Sequence, residues 1–183
     1  MAFAGIPCLS AAFAPPAAIV IVRNLRAYKS RTWDKHDIMV SVTCLVILFL
    51  ALLSVNPTPG HEPLRAQSFF QFIGFFIEVC SIPFHHEHWL FRLVAASLLQ
   101  APFLLFIVQL FRKNGKDWQK HELTLFALGT WLFLQTAAIS YSRGNTGIGT
   151  RHLDTFAILL VTNAASLTYL TNSPIKNLSL IHI

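Results

Sequence analysis

Residues 141–154 (YSRGNTGIGTRHLD) join Arg143 and Arg151 through Gly144, Gly147 and Gly149 and close on His152 and Asp154. Glycine lets backbone N–H groups approach an anion and tolerates positive φ, and arginine offers a planar fork that matches phosphate or carboxylate. A loop of this kind suits an anionic lipid head group or a lipid-phosphate, with Arg143, Gly144, Arg151, His152 and Asp154 as candidate contacts. It is not a Walker loop, because no Gly-Lys-Ser/Thr follows. A plainer reading is a connecting loop in which Thr150 caps the next helix and Arg151 pairs with Asp154 at i, i+3.

A second candidate is Glu78, inside the apolar segment 68–84 (SFFQFIGFFIEVCSIPF). An ionisable group in such a segment costs about 2.5–3.5 kcal/mol at a span centre and is usually paired or functional. Arg92, across a short turn, is its natural partner, and both an ion pair between helices and a substrate- or proton-handling carboxylate fit. Within that turn, His85, His86, Glu87 and His88 are contiguous. On a helix His85 and His88 would share a face and could ligate a metal, with His61, Glu62 or Glu78 as a further ligand. Spacing brings only two ligands together, so the reading taken is a polar hinge with Trp89 at the head-group level and no metal.

The elements that position these groups follow from composition. The chain has 183 residues, 54% hydrophobic and 12% charged, against about 25% charged in an ordinary soluble domain. With a mean hydropathy of +0.55, this excludes a soluble globular domain, a disordered tail and a nucleic-acid-binding module. The balance of 14 Lys+Arg over 8 Asp+Glu points to membrane topology. Cys8, Cys44 and Cys80 lie in apolar runs without CxxC spacing and read as apolar fillers. No haem, flavin or nicotinamide motif is present, so no cofactor is expected.

A bilayer core of about 30 Å needs about 20 apolar residues in a helix. The runs 38–55, 93–111, 123–142 and 155–173 meet that length, the second with Pro102 as a kink. Gln71, Gln100, Gln109 and Gln135, with Thr162, Asn163, Ser166 and Thr168, are expected to hydrogen-bond between helices. Residues 1–22, broken by Pro7, Pro15 and Pro16, and the segment 68–84 are less regular, giving an all-α transmembrane helical bundle of four to six spans. Basic residues fill 23–35 and 112–120, and they share the cytoplasmic side only if 68–84 does not cross. That topology is preferred, with 56–88 and 141–152 outside and Lys176 inside. The last six residues (LSLIHI) look like a translated sequencing-adapter end and are set aside as a non-biological tail. The expectation is one membrane-embedded domain over 1–177, a fragment of a longer chain.

The order of features resembles the C-terminal region of a group of uncharacterised bacterial multi-pass membrane proteins. In that group an FFxFIGFF segment, a basic loop between two spans and an R-G…G…R-[HY] loop follow one another. Here these are residues 69–76, residues 112–120, and Arg143-Gly144 with Arg151-His152, His152 standing where the pattern more often has Tyr. Such proteins look similar in build to polytopic glycosyltransferases that use lipid-linked sugars, which implies a lipid-phosphate role for Arg143 and Arg151. Those transferases carry acidic catalytic residues in an early extracytoplasmic loop that this sequence does not display. The functional expectation is therefore an integral membrane protein, in the bacterial inner membrane, whose 141–154 loop meets membrane lipid or a lipid-linked substrate. The alternatives are the C-terminal part of a membrane glycosyltransferase, or a transporter whose polar path is lined by Glu78, Arg92 and the Pro102 helix.

Overall fold

The computed structural model describes residues 7–53, 62–84, 87–145 and 152–172. These form six α-helices: α1 (Pro7–Ser30), α2 (Lys35–Leu53), α3 (Phe69–Cys80), α4 (Trp89–Arg112), α5 (Lys120–Arg143) and α6 (Leu153–Asn172). There is no strand among the described residues. Three of the helices, α4, α5 and α6, are long and apolar enough to cross a membrane, so the chain is a helical membrane protein. α2 covers residues 38–53 of the first apolar run, whose last residues, like the adapter-like tail, lie outside the described part.

Each helix packs on neighbours that its side chains can reach. α4 and α6 lie side by side and parallel, joined at Gln100–Asn163 and Phe106–Tyr169. α5 runs antiparallel to α6, with Gln135 donating to Thr155 at one end and Glu122 meeting Tyr169 at the other. α1 packs on α5, and α2 packs on α1 through Ser41, which donates to Asn24, and through the Arg23–Asp37 ion pair. Large apolar side chains such as Phe49, Leu98, Leu105 and Val161 point outward and remain exposed, as lipid-facing positions of a bundle do.

The α4–α5 crossing depends on one glycine. A Cβ at Gly129 would fall on the ring of Phe103, which is buried and stacks on Phe106 and Phe133. Small residues let helix backbones approach closely in lipid, where packing takes the place of the hydrophobic effect.

α3 is the short element. Its 12 residues extend about 18 Å, well under the about 30 Å of a hydrocarbon core. Ser68 caps its start by accepting from Gln71 N–H, close to the C-terminal end of α5, where Ala66 N–H donates to Tyr141 O. It descends past Ile139 and Phe156 and stops beside the middle of α4, where Gln100 donates to Cys80 O. Ser81 then closes the helix by donating to Glu78 O, and the chain turns back toward Trp89. α3 therefore enters and leaves by the same end of the bundle.

The two basic segments meet at the other end. Gly115, in the turn Gly115–Asp117, sits so close to the last turn of α1 that a Cβ there would lie 2.8 Å from Arg26 O. Two of the crowded charges are neutralised locally, Arg23 by Asp37 and Lys113 by Glu122.

The hydroxyls of α6 correct one expectation. Thr162, Ser166 and Thr168 donate to carbonyls four residues back in their own helix. Each of these three hydroxyls has the i−4 carbonyl of its own helix within reach and donates to it there. Asn163 is longer and does cross: its Oδ1 accepts from Phe103 N–H, next to Pro102, and its Nδ2 donates to Gln100. Neighbouring helices commonly satisfy backbone groups around a proline in this way.

Candidate functional site

The 141–154 stretch starts as helix. α5 continues through Arg143, and Gly144 follows in contact with residue 66, where a Cβ would come 2.7 Å from the Ala66 side chain. Asn145 ties the segment ahead of α3 to this point. Its Nδ2 donates to Pro63 O at 2.8 Å, its N–H donates to Leu64 O at 3.2 Å, and its Oδ1 accepts from Gln71 Nε2 at 2.8 Å. Residues 63–71 thus form a strap across the end of α5, held mainly by one asparagine side chain and one glycine.

Beside the strap lies a cleft of about 520 Å³ lined by Ala66, Gln67, Ser68, Phe69, Phe72, Ala137 and Tyr141. Its walls are mostly methyl groups and aromatic rings, with polar groups where the strap caps α3. Tyr141 and Phe69 are largely exposed. Such a cleft suits an apolar chain carrying a polar head.

Of the sequence candidates, Arg143 is half-buried two residues beyond Tyr141, Gly144 contacts the strap, His152 is buried and Asp154 is exposed at the start of α6. Arg151 lies outside the described residues, as do Gly147, Gly149 and Thr150. The Arg143–Arg151 convergence and the Arg151–Asp154 pair therefore belong to that part as well.

Glu78 and Arg92 come together. Arg92 Nη1 donates to Glu78 Oε2 at 2.8 Å, with both side chains about a quarter exposed. Arg92 also donates to Glu87 O. The pair bridges α3 and α4 near the end where α3 enters, and a paired carboxylate is the less costly state at such a depth.

The described part of the histidine turn lies ahead of α4. α4 begins at Trp89, and His88 is its extended N-cap residue, at φ −75° and ψ 121°. His85 and His86 lie outside the described residues. A His85–His88 pair therefore lies outside the described residues as well. Among the described residues no three His, Cys, Asp or Glu side chains converge.

A charged cluster at the basic end is the group that spacing did not reveal. Glu122, 1% exposed, accepts from Lys113 Nζ at 2.6 Å and from the Tyr169 hydroxyl, while its Oε2 accepts from Gln119 N–H at 2.8 Å. Lys113 Nζ also donates to Tyr169 Oη at 3.0 Å and lies over that ring. The hydrogen bond to Glu122 holds the Lys113 ammonium above the ordinary lysine range, outweighing the opposing effect of burial. Gln119 and Glu122, three apart just ahead of an apolar run, carry a readable capping pattern. Tyr169 is 47 residues from Glu122, and no local pattern connects them. Each charge is matched within the cluster, so it serves as a clamp on α4, α5 and α6.

No family model matches the chain, and no curated protein or solved structure matches it either, so its function is argued from its own residues.

Proposed function

We propose that the chain is a multi-pass protein of a bacterial inner membrane that crosses with α1, α2, α4, α5 and α6 and carries α3 as a re-entrant segment. In this reading its functional site, at the end opposite the basic loops, takes the anionic head of a lipid or lipid-phosphate. The topology is supported by the meeting of residues 23–35 and 112–120 at one end, which the positive-inside bias assigns to the cytoplasm. A reporter fused after Asn114 is expected to be cytoplasmic in a fusion assay, and an extracytoplasmic reporter would overturn the arrangement.

The observation that carries the site is the strap. It opens an apolar cleft of about 520 Å³ directly beside the start of the arginine- and glycine-containing loop. An acyl or isoprenoid chain in the cleft would leave its phosphate at the end of α5, where Arg143 follows the cleft-lining Tyr141 by two residues and carries a planar guanidinium of the kind that matches phosphate. The test is binding of a lipid-phosphate to the reconstituted protein. Arg143→Ala is expected to weaken it about tenfold or more, the loss of one charge-assisted contact, with insertion unchanged. Glu78→Gln is expected to change it little.

The glycosyltransferase alternative uses the same loop, and it predicts loss of sugar transfer in the Arg143→Ala variant. A transporter is favoured by a different observation, the buried Cys80–Gln100–Asn163 line beside Pro102 within α4. Kinked and broken helices at mid-depth are where transporters build sites. Here the polar groups of that line bond one another, which supports a structural role. Transport abolished by Glu78→Gln and indifferent to Arg143→Ala would reverse the order of the two readings.

A further inference from the structure

At the basic end, a cavity of about 800 Å³ opens between the α1–α2 turn and the turn Gly115–Asp117, lined by Tyr28, Lys29, Ser30, Arg31, Trp33, Asn114 and Lys116. Three cationic side chains and no carboxylate line it. Two local features build it. Gly115 lets its turn rest against the end of α1, since any side chain there would meet Arg26 O and Ser30 N. The end of α1 is closed by Thr32 N–H to Ala27 O and Arg31 N–H to Tyr28 O, with Arg31 at φ 52°. This is the six-to-one, five-to-two closure in which glycine is the usual residue at the left-handed position. An arginine there is strained relative to glycine, and the closure holds its backbone at the cavity wall.

We infer that this cavity is a binding site for a phosphate-bearing anion, separate from the strap cleft at the opposite end of the bundle. The chemistry is that of a basic pocket whose lining carries no carboxylate. The Lys29 ammonium in the last turn of α1, the Arg31 fork just after it and the Lys116 ammonium in the turn Gly115–Asp117 supply charge-assisted donors from two segments distant in sequence, and the Asn114 amide adds neutral donors. Tyr28 and Trp33, 77% and 57% exposed, stand beside the cations as aromatic anchors stand at a membrane interface. A phospholipid head group from the facing leaflet and a soluble phosphate-bearing molecule share this chemistry. The volume falls within the about 300–1,000 Å³ of ordinary ligand pockets.

The test titrates the whole chain, in neutral detergent, with short-chain phosphatidylglycerol, short-chain phosphatidylcholine and inorganic phosphate, reading the thermal unfolding midpoint. Phosphatidylglycerol is expected to act at concentrations at least about tenfold below phosphatidylcholine. Lys116→Gln and Arg31→Gly are each expected to raise the concentration required about tenfold, the loss of one charge-assisted contact. Arg31→Gly keeps the left-handed turn, so its effect is not one of misfolding. Lys120→Gln removes the same charge from an exposed position at the same end and is expected to cost less than about twofold by surface charge alone. Inorganic phosphate that reproduces the shift, with the same sensitivity to Lys116→Gln and Arg31→Gly, makes the ligand a soluble one, whereas a response to phosphatidylglycerol alone makes it lipid. Arg143→Gln is expected to leave the Lys116-dependent part intact, which separates this site from the strap cleft. No preference for phosphatidylglycerol together with no response to phosphate overturns the inference, as does a Lys120→Gln effect equal to that of Lys116→Gln.

Discussion

Gly129→Ala is expected to destabilise the bundle by about 3 kcal/mol, at the upper end of the usual cost of overpacking. The added methyl would meet the Phe103 ring, and that ring is 1% exposed and stacked between Phe106 and Phe133. It has no free rotamer to retreat into, so α4 and α5 must separate instead. Separation would also strain the Phe103 N–H to Asn163 bond beside Pro102. The check is reversible unfolding in mixed micelles, with Phe103→Leu as the second arm of a double-mutant cycle. The smaller side chain should recover at least about 1 kcal/mol of the loss as coupling between the two positions. A neutral Gly129→Ala, or strict additivity with Phe103→Leu, would mean that the two helices do not cross at this glycine.

Glu122→Ala carries the second large effect, a loss of about 2–3 kcal/mol. The carboxylate receives Lys113, Tyr169 and the Gln119 N–H that starts α5. Removing one partner of a buried ion pair costs about 3–5 kcal/mol when the other is trapped. Lys113 is 37% exposed and can turn to water, which reduces the figure. Glu122→Gln keeps the acceptor for Gln119 and Tyr169 and should cost roughly half as much. The pH dependence has a definite sign. The folded-state value of Lys113 is raised above its unfolded one, so its contribution is complete below the ordinary lysine value of about 10.4. It is lost only as pH rises through the raised value. The stability difference between the parent chain and Lys113→Met should therefore be flat between about pH 6 and 9 and shrink only above about 10.4. A difference that already falls near neutral pH would assign the effect to another group.

Long apolar runs, helix ends and the sign of the loops are local properties, and they were legible. The runs 93–111, 123–142 and 155–173 correspond to α4, α5 and α6 within a few residues, because a helix satisfies all its backbone groups internally and only needs length and apolar side chains. The Glu78–Arg92 partnership was also within reach, since a short turn brings its two ends together whatever the rest of the bundle does. Asn163 is legible as a polar residue in an apolar helix, but its choice of the Phe103 N–H beside a proline sixty residues away is not.

Composition and local spacing are enough for an apolar, helical, basic-looped chain with a chemically suggestive stretch at 141–154. Packing between distant segments is needed for α3 to turn back beside the middle of α4, for both basic loops to share one end, and for residues 63–71 to strap the end of α5. It is also needed for Lys113, Glu122 and Tyr169 to form one clamp. The reason is the same in each case. Composition and periodicity report what a residue does with neighbours three or four positions away, whereas these features depend on contacts between separate helices and turns, such as Glu122 with Tyr169, 47 positions apart. Such contacts are set by which helix faces pack and by where a glycine lets two backbones meet.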